Sequence, residues 1–235
     1  MKKTEIRITE LQKEILWGLM LGDGHLRFYG KNSAFLFSQS ESHKDYLFYV
    51  YQLFSSLCLS PPKERTHTVR KIRGLSIKPR KSKHWRFLTV ALPELNLYYQ
   101  AFYREKKKCI PELIKDSLTP RGLAFWYADD GSMKSKSSKG CILNTHSFTQ
   151  EECALLCQTL QERFQLNCWP RPQKTPTGKI QHQIYISGWS YNRFKDLIFP
   201  FLHPSMHYKF PLPRKAGRGF WREQKCLKSN GSARR

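Results

Sequence analysis

The chain has few acidic residues for its length of 235. It contains 18 Asp and Glu against 41 Lys and Arg, so its formal net charge at pH 7 is +23. A folded protein with this excess of positive charge repels itself, and an extended polyanion is the usual partner that offsets the repulsion. The composition therefore favours nucleic acid as the partner.

The sequence also lacks long apolar runs, paired cysteine motifs and a secretory leader. No apolar segment approaches the roughly 20 residues that span a bilayer, and no basic amphipathic helix stands out. The apolar run 15–21 stops at Gly-Asp-Gly without a small-residue cleavage site. The seven cysteines include no C-x-x-C pair, so reduced core thiols are favoured over a metal site at Cys153 and Cys157 that Cys168 or a histidine would complete. We expect a protein that is neither secreted nor membrane-bound.

Two segments end an apolar run on aspartate and glycine. Residues 16–26 read LWGLMLGDGHL, and residues 123–133 read LAFWYADDGSM. Each follows a helix-start pattern, because Thr9 forms a capping box with Gln12 and Thr119 precedes a first-turn proline. We therefore predict two apolar helices that end at the glycines in the left-handed conformation that is usual there.

The elements that follow each motif come in the same order in both halves. A strand region, a helix with 3.6-residue spacing, two further strand candidates and a closing helix follow each time. Each half then closes on a lysine shortly before a proline, Lys108 in KKKCIP and Lys209 in MHYKFP. The pattern predicts a tandem duplication with a first subdomain at 1–108, a linker at 109–118, a second subdomain at 119–213 and a basic, disordered tail at 214–235.

The repeated aspartates favour a function over a simple turn. An aspartate at a helix C-terminus faces the negative end of the helix dipole, which costs about a few tenths of a kcal/mol. Carboxylates and helix C-terminal carbonyls are hard oxygen ligands that suit magnesium, with water and substrate phosphate completing the coordination. If the motif helices pack side by side across a pseudo-two-fold axis, Asp23 and Asp130 lie together. Each acid then serves one strand of an antiparallel duplex.

The motifs LWGLMLGDG and LAFWYADDG resemble the two copies of the LAGLIDADG motif. Over about residues 9–213 the chain resembles a single-chain, two-motif LAGLIDADG homing endonuclease, and LNTHSFTQEE, FQLNCW and MHYKFPLP are similar to the omega-type intron-encoded subgroup. The resemblance implies an α/β fold of the α+β type with two pseudo-symmetric αββαββα subdomains. The motif helices would pack at the interface, and two curved antiparallel sheets would form a DNA-binding saddle.

The resemblance also implies an activity and the residues that carry it. The family cuts both DNA strands across the minor groove with bound divalent metal and leaves short 3′ overhangs. We expect Mg²⁺ as the cofactor, with Mn²⁺ as a substitute. The implied metal ligands are Asp23, Asp130 and the carbonyls of Gly22 and Asp129, and the implied catalytic basic residues near the scissile phosphates are Lys108 and Lys209.

Both motif copies depart from the consensus, and the departure in the second copy affects the predicted helix interface. The first copy has Leu21 where the consensus has an acid, at a position that does not bind metal. The second copy has Phe125 and Trp126 where the consensus has glycine and leucine. Because close helix contact relies on small residues at the crossing, we expect Gly18 to face Phe125.

The segment KIQHQIYI, 179–186, alternates polar and apolar residues. Alternation puts Lys179, Gln181, Gln183 and Tyr185 on one face of a strand. Gln, Lys and Arg match the donor and acceptor pattern of the major groove, although a phosphate contact or a solvated charge is an alternative for each. The other predicted DNA contacts are Arg27, Gln39, Arg65, Arg70, Arg73, Arg80, Arg86 and Asn144, with Lys134, Lys136 and Lys139 on a hairpin tip that touches phosphate.

We therefore predict a monomeric, magnesium-dependent endonuclease that cuts double-stranded DNA at a long target site. Its gene would lie in an organellar intron, chloroplast or mitochondrial, or in a bacterial one. Two rivals are an RNA-binding maturase that aids splicing of its own intron and a DNA-binding regulator with an inactive nuclease site. Retention of both acids and both lysines argues against the regulator, whereas maturase and nuclease activities are compatible. For Lys108 the run REKKK could also be a solvated linker.

Overall fold

Each half of the chain folds as helix, two strands, helix, two strands and helix. The computed structural model describes residues 6–69, 80–135, 138–175 and 177–210. The first half contains α1 (Glu10–Leu21), β1 (His25–Phe28), β2 (Ser33–Ser40), α2 (Lys44–Phe54), β3 (Lys63–Val69), β4 (Arg80–Leu88) and α3 (Glu94–Phe102). A hairpin of β5 (Tyr103–Arg104) and β6 (Lys107–Lys108) and the short α4 (Ile114–Ser117) lead to the second half. The second half contains α5 (Pro120–Asp130), β7 (Gly131–Met133), β8 (Cys141–Leu143), α6 (Gln150–Phe164), β9 (Cys168–Lys174), β10 (Ile180–Ile186) and α7 (Tyr191–Ile198).

Each half has its own four-stranded antiparallel sheet. The strand order is β1-β2-β4-β3 in the first half and β7-β8-β10-β9 in the second. Both the element order and the strand order therefore repeat, and the predicted fold class is confirmed. The subdomain boundaries at 108 and 119 stay a prediction, and the tail predicted at 214–235 lies outside the described residues.

Both motif helices begin where the sequence predicts. The Thr9 hydroxyl accepts a hydrogen bond from the Gln12 backbone N–H at 3.2 Å, and the Gln12 side chain accepts one from the Thr9 backbone. The helices end at Gly22 and Gly131, but these glycines have φ of −95° and −79°. The predicted left-handed stop is therefore wrong, because the chain continues from each helix into an extended strand.

The backbones of the two motif helices touch at a pair of glycines. A Cβ placed on Gly18 would lie 1.9 Å from the carbonyl oxygen of Gly122. The expectation that Gly18 faces Phe125 is therefore wrong. Phe125 lies about one turn further along α5, where its ring stacks on Tyr49 of α2 with centroids 6.1 Å apart. The small residues of the crossing are Gly18 and Gly122, and the aromatic residue packs beside it.

We expect Gly18→Ala to destabilise the fold much more than Gly122→Ala. Overpacking of a close backbone contact costs roughly 1–3 kcal/mol, which exceeds the ~1 kcal/mol that alanine gains in helix propensity. At Gly122 the nearest neighbour of an added Cβ is the Glu14 carbonyl oxygen at 3.2 Å, so a small shift relieves the contact. Thermal unfolding of both variants measures the difference. An unchanged Tm for Gly18→Ala would show that the helices do not meet at this residue.

The motif helices form the centre of an apolar core that both halves share. Leu16, Leu19, Leu123 and Trp126 are each 0% exposed. Burial of this kind explains why the motifs are apolar on all sides and not amphipathic. None of the described helices has both the length and the apolar character of a membrane span.

The cysteines of the second half are core residues. Cys153 donates a hydrogen bond to the Thr145 hydroxyl at 3.2 Å, and Cys168 donates one to the Cys157 carbonyl at 3.6 Å. All three thiols are buried and free. Within the described ranges, no group of three or more His, Cys, Asp and Glu residues could hold a metal ion by itself. The alternative of a cysteine metal site therefore has no structural support.

Candidate active site and DNA-binding surface

The ends of the motif helices bring three aspartates together. Asp23 directly follows Gly22, whereas Asp129 and Asp130 are the last residues of α5. The Asp129 carboxylate accepts a hydrogen bond from the Asp23 backbone N–H at 3.0 Å. A Cβ on Gly22 would lie 2.4 Å from that carboxylate. Gly22 and Asp129 occupy equivalent positions in the two motifs. Because Gly22 has no side chain, the Asp129 carboxylate of the other motif fits beside it.

Lys108 caps the end of the first motif helix. Its ammonium donates hydrogen bonds to the carbonyls of Gly22 at 2.8 Å and Gly24 at 2.9 Å. A cation at this position stabilises the negative end of the helix dipole and the unpaired carbonyls there. Lys108 is thus part of the helix end in the free protein, and the alternative of a solvated linker is wrong for this residue.

Lys209 caps the second motif helix in the same way. Its ammonium donates to the carbonyls of Tyr127 at 3.1 Å, Asp129 at 3.3 Å and Gly131 at 2.7 Å. The side chain is more deeply buried than that of Lys108, with 7% of the residue exposed. The lysines predicted from the repeat therefore occupy equivalent places, each at the motif of its own half.

Burial of these charges shifts their protonation. Burial, with the negative charge of Asp23, raises the pKa of Asp130 to about 7 and that of Asp129 well above its usual range. Burial lowers the pKa of Lys108 to about 8 and also lowers the pKa of Lys209, while the aspartates partly offset both shifts. The positive charges of the two lysines therefore do not fully offset the effect of burial on the carboxyl groups, whose pKa values stay raised.

The donor set at the helix ends fits a divalent cation. The carboxylates of Asp23 and Asp130 are hard oxygen ligands of the type that Mg²⁺ takes. The carbonyls of Gly22 and Asp129 each accept one lysine hydrogen bond, and a carbonyl oxygen has a second lone pair. Because side chains alone cannot enclose an ion, water and substrate phosphate would have to complete the coordination. The residues present therefore fit a metal site in which the protein supplies part of the ligands and the DNA substrate and water supply the rest.

The structure corrects the predicted role of Gln39 as a DNA-reading residue. Gln39 is 7% exposed and donates hydrogen bonds to Asp23 at 2.8 Å and to Asp129 at 3.4 Å. It lies on the same face of β2 as the core residues Phe35 and Phe37. This alternation was visible in the sequence and could have placed Gln39 at the acids.

A histidine that sequence analysis missed supports this glutamine. The His43 ring nitrogen Nδ1 lies 3.4 Å from the Gln39 Oε1, and Nε2 lies 3.1 Å from the hydroxyl of Tyr208 in the second half. Burial lowers the pKa of His43, as does the nearby Lys209. The contacts form a chain from Tyr208 through His43 and Gln39 to Asp23.

The two acids have different neighbours. Asn144, a predicted DNA contact, donates to the Asp130 backbone carbonyl at 2.8 Å and accepts from Gln183 at 3.4 Å. Among the described residues, no side-chain amide hydrogen-bonds to the Asp130 carboxylate, in contrast to Gln39 at Asp23. The pseudo-symmetry therefore holds for the acids and lysines but not for the amides around them.

The open face of the first sheet carries the predicted arginines. Arg27, Arg65 and Arg86 line one depression of about 200 Å³, together with Lys63, which sequence analysis did not single out. Arg86 lies opposite Lys63 in the β3–β4 pair. The predicted contacts Arg70 and Arg73, and the side chain of Arg80, lie outside what the structure describes.

The open face of the second sheet carries the predicted β10 side chains. Gln181, Gln183 and Tyr185 are half-buried, and Lys179 next to the strand is exposed. Ile180, expected on the apolar face, is 61% exposed because the strand runs past the core there. Sequence analysis missed the partners on β9, which lie directly opposite these residues: Trp169, Arg171 and Gln173.

The hairpin between β7 and β8 contacts aromatic rings of the second half. The Lys134 ammonium lies 5.2 Å from the centre of the Tyr185 ring, and the Lys139 ammonium lies 6.0 Å from that of Tyr191. Lys136 lies outside the described residues. The predicted phosphate contacts of this hairpin stay a prediction.

Comparison with known proteins identifies the family of this chain. The model of the LAGLIDADG DNA endonuclease family matches residues 13–194. The chain belongs to the LAGLIDADG DNA endonuclease family. The predicted resemblance is thus confirmed, and the matched range includes Asp23, Lys108 and Asp130, whereas Lys209 follows it.

Individual relatives and one solved structure match most of the chain. A probable intron-encoded endonuclease from Wickerhamomyces canadensis is 29% identical over 218 residues, which are 88% of this chain and 87% of that protein. The cytochrome b mRNA maturase bI2 of Debaryomyces hansenii is 30% identical over 199 residues, 83% of this chain and 72% of that protein. Among solved structures, the homing endonuclease I-WcaI bound to its DNA recognition sequence matches with a TM-score of 0.77 and 26% identity, covering 91% of each chain.

Proposed function

We propose that this LAGLIDADG protein cleaves both strands of a specific double-stranded DNA site in a divalent-metal-dependent reaction. The observation that carries the proposal is the repeat, at each motif-helix end, of an acid and a lysine that donates to the backbone carbonyls of that end. Lys108 lies 2.8 Å from the Gly22 carbonyl, and Lys209 lies 3.3 Å from the equivalent Asp129 carbonyl. Because one chain supplies both pairs, we propose that it acts as a monomer on a duplex with a long site.

Residues at the two motif-helix ends would bind the divalent cation that the proposed reaction requires. Asp23 and Asp130, with the carbonyls of Gly22 and Asp129, would hold Mg²⁺ or a similar cation. Such a cation, when bound, stabilises the negative charge that builds on the phosphate and on the leaving oxygen. Gln39 restrains the Asp23 carboxylate through its 2.8 Å hydrogen bond, which reduces the reorganisation that binding requires.

The two lysines would stabilise the same charge from the protein side. A positioned ammonium in a partly dehydrated site stabilises the transition state more than the bound substrate. A lysine has three N–H donors, and Lys108 uses two of them on carbonyls. Lys209 contacts three carbonyls, so it must release one of them to contact a phosphate.

The test of this function is cleavage of a randomised duplex library by the full chain in Mg²⁺. We expect one long sequence to be recovered, cut on both strands with short 3′ overhangs. Addition of a chelator should stop the reaction. If no duplex in the library is cut at any Mg²⁺ concentration, the nuclease proposal is refuted.

A maturase function is the second candidate, and the similarity to the Debaryomyces hansenii protein favours it. It is compatible with cleavage because binding to the chain's own intron RNA need not use the acids. Splicing of the host intron RNA with and without the protein tests it. The organellar or bacterial origin of that intron stays a prediction.

We expect the logarithm of the DNA association constant to fall linearly with the logarithm of the salt concentration. Each phosphate that the protein neutralises should add roughly 0.9 to the steepness of that line. Lys134→Ala should reduce that slope by about one such step, since its ammonium lies at an exposed hairpin. Gln183→Ala should leave the slope unchanged, because an amide releases no counterion. Titrations at four or more salt concentrations give the slopes, and an unchanged slope for Lys134→Ala would remove it from the phosphate contacts.

A further inference from the structure

The open faces of the two sheets differ in chemistry although their strand orders are the same. We propose that the first-half sheet reads base pairs that are mainly G·C and the second-half sheet reads base pairs that are mainly A·T, so that the target has two half-sites of different composition. The proposal rests on the DNA-binding function proposed above and specifies its substrate.

The first-half face is built from cations. Arg86 lies in a cross-strand row with Lys63 on one side and Ser38 on the other. Arg65 lies one row further along β3, opposite His84. With Arg27 from β1, these side chains surround the 200 Å³ depression, whose apolar lining includes Leu36 and Leu88.

Among the described residues, no acid offsets this cluster on the open face. Glu64 of β3 points to the other face, where it lies opposite Trp85 and pairs with Lys83 at 3.1 Å. In the described part of the chain, none of the four cations that line the depression forms a salt bridge. Mutually repelling cations at a major-groove surface require acceptors, and guanine O6 and N7 are the base acceptors that Arg and Lys contact in pairs.

The position of Arg86 favours a base contact over a phosphate contact. β4 is an inner strand of the sheet, between β2 and β3. The Arg86 side chain rises from the middle of the face and is half-buried. Arg27, Lys63 and Arg65 stand on the edge strands β1 and β3, which are better placed for the sugar-phosphate chains. Arg86 is therefore the residue on which the first half of the proposal depends most.

The second-half face is built from amides. Gln183 donates to Gln173 at 2.5 Å and to Asn144 at 3.4 Å, and its amide nitrogen lies 3.0 Å from the His146 ring. Gln181 lies opposite Gln173 in the β9–β10 pair. An amide offers one donor and one acceptor side by side, which is the pattern that pairs with adenine N6 and N7.

The hydrogen bonds among these amides fix their orientation before DNA binds. The amide nitrogen of Gln183 contacts three neighbours, so its side chain loses less conformational entropy on binding than a free glutamine would. Because this nitrogen has two N–H donors, it must release one neighbour to contact a base. This half also carries cations, namely Arg171 opposite Gln183 on the edge strand β9, Lys179 beside β10 and Lys134 over the Tyr185 ring, and their positions suit the sugar-phosphate chains. The contrast is four amides on this face against a depression in the first sheet whose described lining holds four cations and no amide.

The experiment is a binding selection from a randomised duplex library with the full chain in the absence of divalent metal. Enriched sequences are aligned on their centre, and base-pair frequencies are compared between the halves. We expect G·C pairs to dominate the contacted positions of one half-site and A·T pairs those of the other. Equal composition of the two half-sites would overturn the proposal.

Single variants assign each half-site to its sheet. Arg86→Ala should reduce the preference for G·C at one pair by roughly 10-fold and leave the other half-site unchanged. Gln183→Ala should do the same for an A·T pair in the opposite half-site. Arg163→Ala and Gln158→Ala, exposed positions on α6, are matched controls that should leave both half-sites unchanged. If Arg86→Ala weakens binding to all sequences equally, the contact is to phosphate and the proposal is wrong.

The same library separates this proposal from the proposed function. Enriched duplexes are next incubated with the protein and Mg²⁺. If they show the expected composition but are not cut, the nuclease function fails while the composition stands. If they are cut but have two half-sites of equal composition, the nuclease function stands and the present proposal fails. If no sequence is enriched, the composition proposal is wrong, and cleavage of the library in Mg²⁺ decides the nuclease function separately.

Discussion

Asp23→Asn and Asp130→Asn are each expected to abolish double-strand cleavage while metal-independent binding to the DNA site stays nearly unchanged. The substitution removes the anionic ligand charge and keeps the shape of the side chain. At Asp23 the amide oxygen of asparagine can still accept the 2.8 Å hydrogen bond from Gln39, so the fold around the site should persist. The loss therefore concerns cation binding and not core packing.

Cleavage and binding of the selected target are measured in parallel for both variants. Asp196→Asn is the matched control, because Asp196 is an exposed aspartate of α7 on the described surface. It should cleave like the unmodified chain. Wild-type cleavage by Asp23→Asn or by Asp130→Asn would remove that aspartate from the site.

Lys108→Met and Lys209→Met are expected to slow cleavage by about 10²-fold, each on one strand preferentially, so that nicked DNA accumulates. Each ammonium lies at the motif of its own half, and the two motifs serve opposite strands in the proposed arrangement. The two variants should therefore nick opposite strands. Binding should change less than rate, since the ammonium acts mainly on charge that develops during the reaction.

A time course on a duplex labelled separately on each strand measures these rates. Lys107→Met is the matched control for Lys108→Met, because Lys107 is its exposed neighbour in β6. Lys209 is buried against three carbonyls, so the Tm of Lys209→Met must be measured to separate lost folding from lost catalysis. Equal slowing of both strands in each variant would contradict the assignment of one lysine to one strand.

The repeat made much of this site predictable. Two copies of the same element order, each with Asp-Gly at one end and a lysine at the other, placed Asp23, Lys108, Asp130 and Lys209 in equivalent positions. Local patterns also sufficed for the starts of the motif helices, because capping depends on residues three positions apart. These predictions needed no knowledge of how distant segments pack.

Predictions that depended on register between segments were less successful. An apolar helix such as α1 does not show which residue lies at the crossing, so Gly18 was paired with Phe125 and not with Gly122. The strand pairing of β10 was needed to place Arg171 and Gln173 beside the predicted glutamines. Such contacts arise from packing of the whole chain, which periodicity within one segment does not specify.

The role of Gln39 was missed for a different reason. Its residue type matches the donor and acceptor pattern of the major groove, but its position in the strand places it on the buried face. Phe35 and Phe37 put Gln39 on the buried face, where its amide meets the acids. Strand alternation was the better guide here.

The most direct test of the account is the position of the metal in a complex of the full chain with its target duplex. Crystals of this complex grown with Mn²⁺, whether the duplex is intact or cut, would reveal the ion by its anomalous scattering. We predict Mn²⁺ within direct coordination distance of the carboxylates of Asp23 and Asp130 and of phosphates on both DNA strands. The ammonium groups of Lys108 and Lys209 should lie near the scissile phosphates of opposite strands. Mn²⁺ bound elsewhere, with neither carboxylate among its ligands, would contradict the central claim.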